Sequence, residues 1–132
     1  MSITINGSGT IGGLSAGGLP DGSITTADLN SAVPVAKAWV NFNGTGTVAI
    51  RASYNVSSIT DNGTGEYTVN FTTAMADANY AVSPSAGGTP GTVNLRPYDE
   101  ATARTASAIK LICFSTTFSA LDSLQINVAI FR

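Results

Sequence analysis

The chain contains no histidine, so any acid–base chemistry would fall to its eight carboxylates. That absence removes the commonest general base and the commonest metal ligand together. Ser-His-Asp and Cys-His triads and His-containing zinc sites are excluded with them. Asp99 and Glu100 are adjacent, and Asp122 is distant. Glycoside hydrolysis needs two carboxylates flanking the scissile bond. Neighbours on a strand or turn point to different sides, so Asp99 and Glu100 make a poor pair. Asp61-Asn62-Gly63-Thr64-Gly65-Glu66 offers two carboxylates without the alternating acidic ligands of an EF-hand, and reads as a hairpin turn. Gly7-x-Gly9-x-x-Gly12 matches the dinucleotide fingerprint by letter, but no βαβ unit follows. The expectation is a protein that is not an enzyme, with no cofactor and no metal.

Binding chemistry has one dense cluster, Arg96-Pro97-Tyr98-Asp99-Glu100. A tyrosine ring stacks on a sugar face while Arg and Asp hydrogen-bond its hydroxyls. Arg96, Tyr98 and Asp99 are therefore candidate glycan contacts. The alternatives are a solvated loop, or an interchain ion pair of Arg96 or Arg104 with Asp99. The six basic residues are scattered and the net charge is −2, so no footprint for nucleic acid is present. No run of about 18 apolar residues exists, so no membrane insertion is expected. Met1 to Asn6 has neither the basic nor the apolar region of a secretory signal. Without such a signal, the Asn-x-Ser/Thr triplets at Asn6, Asn43, Asn55, Asn62 and Asn70 reflect composition and not glycosylation. The lone Cys113, between Ile112 and Phe114, is expected to be a buried, inert thiol.

The elements that must position these residues fall into two regions. With 132 residues the chain has room for one ordinary domain. Charged residues are 11% against the usual quarter or so, and Ser, Thr, Asn and Gly fill the gap. Residues 1–36 hold seven of the 14 glycines and few large side chains. Such a segment cannot bury enough surface to offset its ordering entropy. It reads as an extended arm for attachment or trimerisation, with a short strand at Ser2–Ile5 and a one-turn helix over 27–30. Residues 37–132 alternate with period two. Ala38, Val40 and Phe42 form one stripe, and Val48, Ile50 and Ala52 another. Tyr67, Val69 and Phe71 form a third, and Leu124, Ile126, Val128 and Ile130 the last. Each predicts a strand with one buried face. Shorter runs fall at Tyr80–Ser83 and Val93–Pro97, and Ala108–Ser115, apolar on both sides, predicts a central strand. Asn43–Gly46 and Asp61–Gly65 predict turns, and Pro84–Gly91 a longer loop. Within 37–132, Ala101–Ala108 is the sole helix candidate. The sum is an all-β antiparallel sandwich of about seven strands. Trp39 and Phe131 lie opposite their strands' apolar stripes and are candidate oligomer contacts.

Trp39-Val40-Asn41-Phe42-Asn43-Gly44 opens a further pattern. It continues through Val56 to Phe71, with Asp61-Asn62-Gly63-Thr64-Gly65-Glu66-Tyr67-Thr68-Val69-Asn70-Phe71 at its centre, then Met75 and Asn79-Tyr80-Ala81-Val82. This resembles a module of bacteriophage tail-fibre and related virion proteins. Gly17 to Leu29 is similar to the linkers upstream of such modules. The strong match covers about a third of the chain, and residues 85–132 match less. The resemblance implies a β-sandwich assembled as a homotrimer at or near the end of a fibre in the virion. Its partners would be other virion proteins through the arm and a host-surface glycan. The short chain departs from a full tail fibre, so the alternatives are a separate small fibre, a head or neck decoration, a capsid-cementing protein or a fragment of a longer fibre.

Overall fold

In a computed structural model of the chain, residues 35–88, 93–98 and 102–132 are described. The chain divides into two units, Met1–Val33 and Pro34–Arg132, and every described residue belongs to the second. The arm expected over 1–36, with its strand and short helix, lies outside the described residues except for Val35 and Ala36.

The described residues form eight strands and no helix. These are β1 (Ala36–Asn43), β2 (Ala49–Tyr54), β3 (Val56–Gly63), β4 (Glu66–Phe71), β5 (Ala81–Gly87), β6 (Val93–Pro97), β7 (Ala108–Ser115) and β8 (Gln125–Phe131). They make two four-stranded sheets, in the orders β2-β1-β8-β5 and β3-β4-β7-β6. Every neighbouring pair is antiparallel. The two sheets pack as a sandwich. Strands β5, β6 and β7 succeed one another around it, and β8 returns beside β5, which is a Greek key.

The core comes from the four central strands, each sending in three side chains. Ala38, Val40 and Phe42 on β1 and Ile126, Val128 and Ile130 on β8 face Tyr67, Val69 and Phe71 on β4 and Ile109, Leu111 and Cys113 on β7. Full burial of each large member stabilises by about 1.5–3 kcal/mol. The period-two stripes at β1 and β4, and Ile126, Val128 and Ile130 of the last stripe, are thus the inner faces, whereas Leu124 precedes β8 and is exposed; Ala108–Ser115 is a central strand as expected.

Four expectations need correction. The strand number is eight, because Val56–Gly63 pairs with β4 although only Val56 and Ile59 give it an apolar side. Of the stripe Val48–Ile50–Ala52 only Val48, which precedes β2, packs partly against the core: every residue of β2 is exposed, and β2 is the outermost strand of its sheet. Pro84 lies inside β5 and not in a loop, and an edge strand tolerates a residue that lacks an N–H. Thr102 to Ser107 runs as turns rather than a helix, with the Thr105 hydroxyl accepting from the N–H of Ser107 and Ala108 (3.3 and 3.0 Å).

Candidate functional site

Antiparallel connectivity gives the domain two ends. The chain comes into β1 at Ala36 at one end, shared with Asn55, the 72–80 connection and Arg132. The far end carries the 44–48, 64–65 and 116–124 connections. The sandwich also has two outer faces, one per sheet.

On the β2-β1-β8-β5 face, Trp39 and Phe131 stand out of the strands as expected, 41% and 37% exposed. Tyr54, opposite Trp39 in the β1–β2 register, joins them at 51%. Beside them runs a row of side-chain amides and hydroxyls. The Asn41 side-chain amide donates to Asn127 Oδ1 (2.6 Å), and the Asn127 amide donates to Ser85 Oγ (3.4 Å). Lys37 is the single charge on the outward positions of β1, β5 and β8. Arg51, at the β1–β2 bulge, turns its guanidinium onto the carbonyls of Phe42 and Leu124 (3.1 and 2.7 Å). The face is aromatic and almost free of charge.

The β3-β4-β7-β6 face is different. Its β3–β4 half is an amide–hydroxyl ladder, with Asn70 donating to Ser58 Oγ and Thr60 Oγ1 (3.1 and 3.0 Å) and Asn62 to Thr68 Oγ1 (2.9 Å). Its β7–β6 half holds charge against rings. Lys110 pairs with Glu66 (3.1 Å) and lies 4.0 Å from the Tyr98 ring centre, while the Tyr98 hydroxyl donates to Glu66 (3.4 Å). Arg96 lies over the Phe114 ring (5.4 Å), and Phe118 stacks on Phe114 at 5.7 Å and 14°. Arg96 and Tyr98 therefore share one face, as a sugar contact would require, while Asp99 lies outside the described residues. Arg104 belongs to neither cluster. It donates to the Tyr80 carbonyl (3.1 Å) and covers the Tyr80 ring.

The far end is closed by a buried polar node. The Tyr67 hydroxyl, wholly buried, lies 2.8 Å from both the Gly44 carbonyl and Asp122 Oδ1, which also accepts from the Gly65 N–H (2.8 Å). Burial first, and the Asp122 carboxylate second, push the Tyr67 phenol far above its ordinary value. Ser123 is also buried and donates to the Gly87 carbonyl (2.7 Å). Beyond β7 the chain turns over Ser115–Ser119 and lifts Phe118 to 83% exposure. At the other end, Lys37, Tyr54, Asn55, Met75 and Arg132 help line an open depression of about 520 Å³. Asn55 pins its wall by donating to the carbonyls of Lys37 and Thr73 (3.0 and 3.1 Å).

Sequence reasoning missed Tyr54 and Phe118. Tyr54 ends a strand whose burial was overestimated. Phe118 is an isolated aromatic within Ser115-Thr116-Thr117-Phe118-Ser119, a hydroxyl-rich run that signals a turn. Cys113 is buried as expected, and desolvation pushes its thiol up to about 11. A thiol so held stays protonated and unreactive. No protein-family model matches this chain, nor does any curated protein or solved structure.

Proposed function

We propose that the chain is a non-catalytic fibre module of a bacteriophage virion, attaching to host-surface glycans as a homotrimer. The observation that carries this reading is the outer face of β2-β1-β8-β5. Trp39, Tyr54 and Phe131 over uncharged amides suit burial between copies, where interface centres favour aromatics and exclude charge. Packing on that face leaves the Arg96, Tyr98 and Phe118 side of each copy open to a ligand, so weak sites would add by avidity. The resemblance over Trp39–Val82 supports the virion setting.

The non-catalytic part rests on the carboxylates, each of which, among the described residues, is engaged in holding the fold. Asp61 accepts from the Gly63 N–H (3.0 Å), Glu66 pairs with Lys110, Asp77 pairs with Arg132, and Asp122 holds Gly65 and Tyr67.

Light scattering of the full chain should give three times the monomer mass, and binding to a host-surface glycan panel should follow. Trp39→Ser with Phe131→Ser should shift the mass to the monomer. A parent protein that is monomeric, or that binds no host fraction as a trimer, sinks the proposal. A second reading, a head or neck decoration or a capsid-cementing protein, draws on the arm, whose few large side chains need other virion subunits to pack on. Electron microscopy of the labelled protein separates the two: a fibre tip supports the first, a capsid or neck position the second.

A further inference from the structure

We propose that the Ser115–Ser119 turn is a sugar-stacking site, with Phe118 as the platform for one pyranose ring. The inference rests on the glycan-attachment reading above and names the residue on which that attachment centres.

Phe118 has two features that oppose its presence. Its φ is 60°, in the left-handed region that costs a non-glycine residue about 1–2 kcal/mol. The residue is 83% exposed, the highest value among the large apolar residues described. Asn or Gly would fit this backbone better, and any polar residue would suit the exposure better. The turn is not loose, however. Ser115 N–H donates to the Ser119 carbonyl (2.9 Å) and Phe118 N–H to the Ser115 carbonyl (3.0 Å). The Ser115 hydroxyl accepts from the N–H of Thr117 and Ser119 (3.2 and 3.3 Å). A strained, exposed aromatic on an over-determined turn is the pattern that interaction sites show.

The stack fixes which side of the ring is free. Arg96 covers Phe114 at 5.4 Å, Phe114 lies nearly parallel under Phe118, and the outer face of Phe118 meets solvent. The next layer should be a flat group of ring size with an apolar face. The surroundings select among such groups: Thr116, Thr117 and Ser119 are exposed in the same turn, the Thr117 hydroxyl bonded to Ser115 Oγ (2.8 Å), and Asn94, opposite Phe114 in the β6–β7 register, is exposed on the same face. Hydroxyls and an amide around one aromatic suit a pyranose, whose C–H face stacks while its edge hydroxyls hydrogen-bond. A protein partner would need a wider apolar field than one ring set among hydroxyls. The turn also stands at the end of the domain opposite Ala36, so a module held through its N-terminal side presents it outward.

The test uses the full chain on an array of defined and host-derived oligosaccharides, followed by titration of the glycan that binds with Phe118→Asn, Phe118→Gly and Tyr98→Ala. Phe118→Asn and Phe118→Gly should weaken binding about tenfold or more, the loss expected of a central anchoring aromatic. Their melting temperature should equal or exceed the parent's, because left-handed strain is relieved. In proton NMR the C–H protons of one sugar should shift upfield with the parent and stay unshifted with Phe118→Asn. Unchanged affinity in a glycan-binding protein overturns this inference and leaves the attachment reading standing, as does a fall in melting temperature that accounts for the binding loss. If the parent trimer binds no glycan, the attachment reading fails and this one with it.

Discussion

Both ends of the sandwich are closed by a tyrosine that meets a phenylalanine edge-on, Phe42–Tyr67 at the far end (5.3 Å) and Phe71–Tyr80 at the Ala36 end (5.8 Å). The rings match, but their hydroxyls do not. Tyr67 shares a carboxylate with a backbone N–H inside a node that two glycines approach closely. Tyr80 reaches only carbonyls, of Thr105 and Ala108 (3.0 and 3.1 Å), with Arg104 over its ring. The rest of the Ala36 end is held from the surface, by the Asn55 amide and the Arg132–Asp77 ion pair. One end is locked from inside and the other tied from outside. The locked end is the one that carries the strained Phe118 turn, and a rigid support is what such strain requires.

The largest break in this contrast should come from Gly65. A Cβ there would collide with the Cys113 carbonyl oxygen and meet the Leu121 nitrogen at 2.9 Å, on a backbone with φ of 73°. Gly65→Ala should cost about 4 kcal/mol or more in urea unfolding, if the chain folds at all. Gly46 has a similar φ of 61° with open space around it, so Gly46→Ala should cost only about 1 kcal/mol.

Alkaline titration should next separate the interior from the surface. The folded Cys113 thiol ionises near 11 and the unfolded one near 9, so the unfolded chain releases its proton first. Stability is therefore complete below pH 9 and falls as pH rises to 11, by roughly 2–3 kcal/mol at one pKa unit per 1.36 kcal/mol. Tyr67, raised in the same direction, extends the fall above pH 10. Cys113→Ala should remove the portion that begins at pH 9 when denaturation midpoints are compared across that range.

Paired hydroxyl deletions sharpen the comparison further. Tyr67→Phe should lose about 2 kcal/mol, since a hydrogen bond to a charged group contributes roughly 1.5–3 kcal/mol, and Tyr80→Phe about 1 kcal/mol. Equal losses would show that the carboxylate adds nothing. The smallest effect belongs to Asp77→Asn, where a half-exposed ion pair should account for less than about 1 kcal/mol in the same assay.

Much of this arrangement was legible in the residues. The glycines of Asn43–Gly46 and Asp61–Gly65 marked the two hairpin turns, and Tyr67, Val69 and Phe71 marked an inner face. Period two shows that a strand has two sides, but not whether a partner sheet covers one of them. Ile50 lies on such a stripe and is 37% exposed, because β2 ends its sheet. Pro84 suggested a break, yet an unpaired edge leaves room for it. Arg96 and Tyr98 could be grouped by proximity in the chain. Their partners Lys110, Glu66, Phe114 and Phe118 come from β4, β7 and the turn after it, and only the fold brings them together.

The neighbouring of β1 and β8 has a consequence for synthesis. These strands are the first and last of the domain, and they lie side by side at the centre of one sheet. A growing chain can assemble β3, β4, β7 and β6 while β8 is still unmade. The opposite layer then consists of a lone β1–β2 hairpin and an unattached β5, both waiting for the same seven residues. Until Gln125–Phe131 leaves the ribosome, the inner side of one sheet has only an incomplete layer to pack on. A chain cut short there would keep seven of its eight strands and bare both the edges that β8 fills and the apolar surface that it covers, an invitation to aggregate.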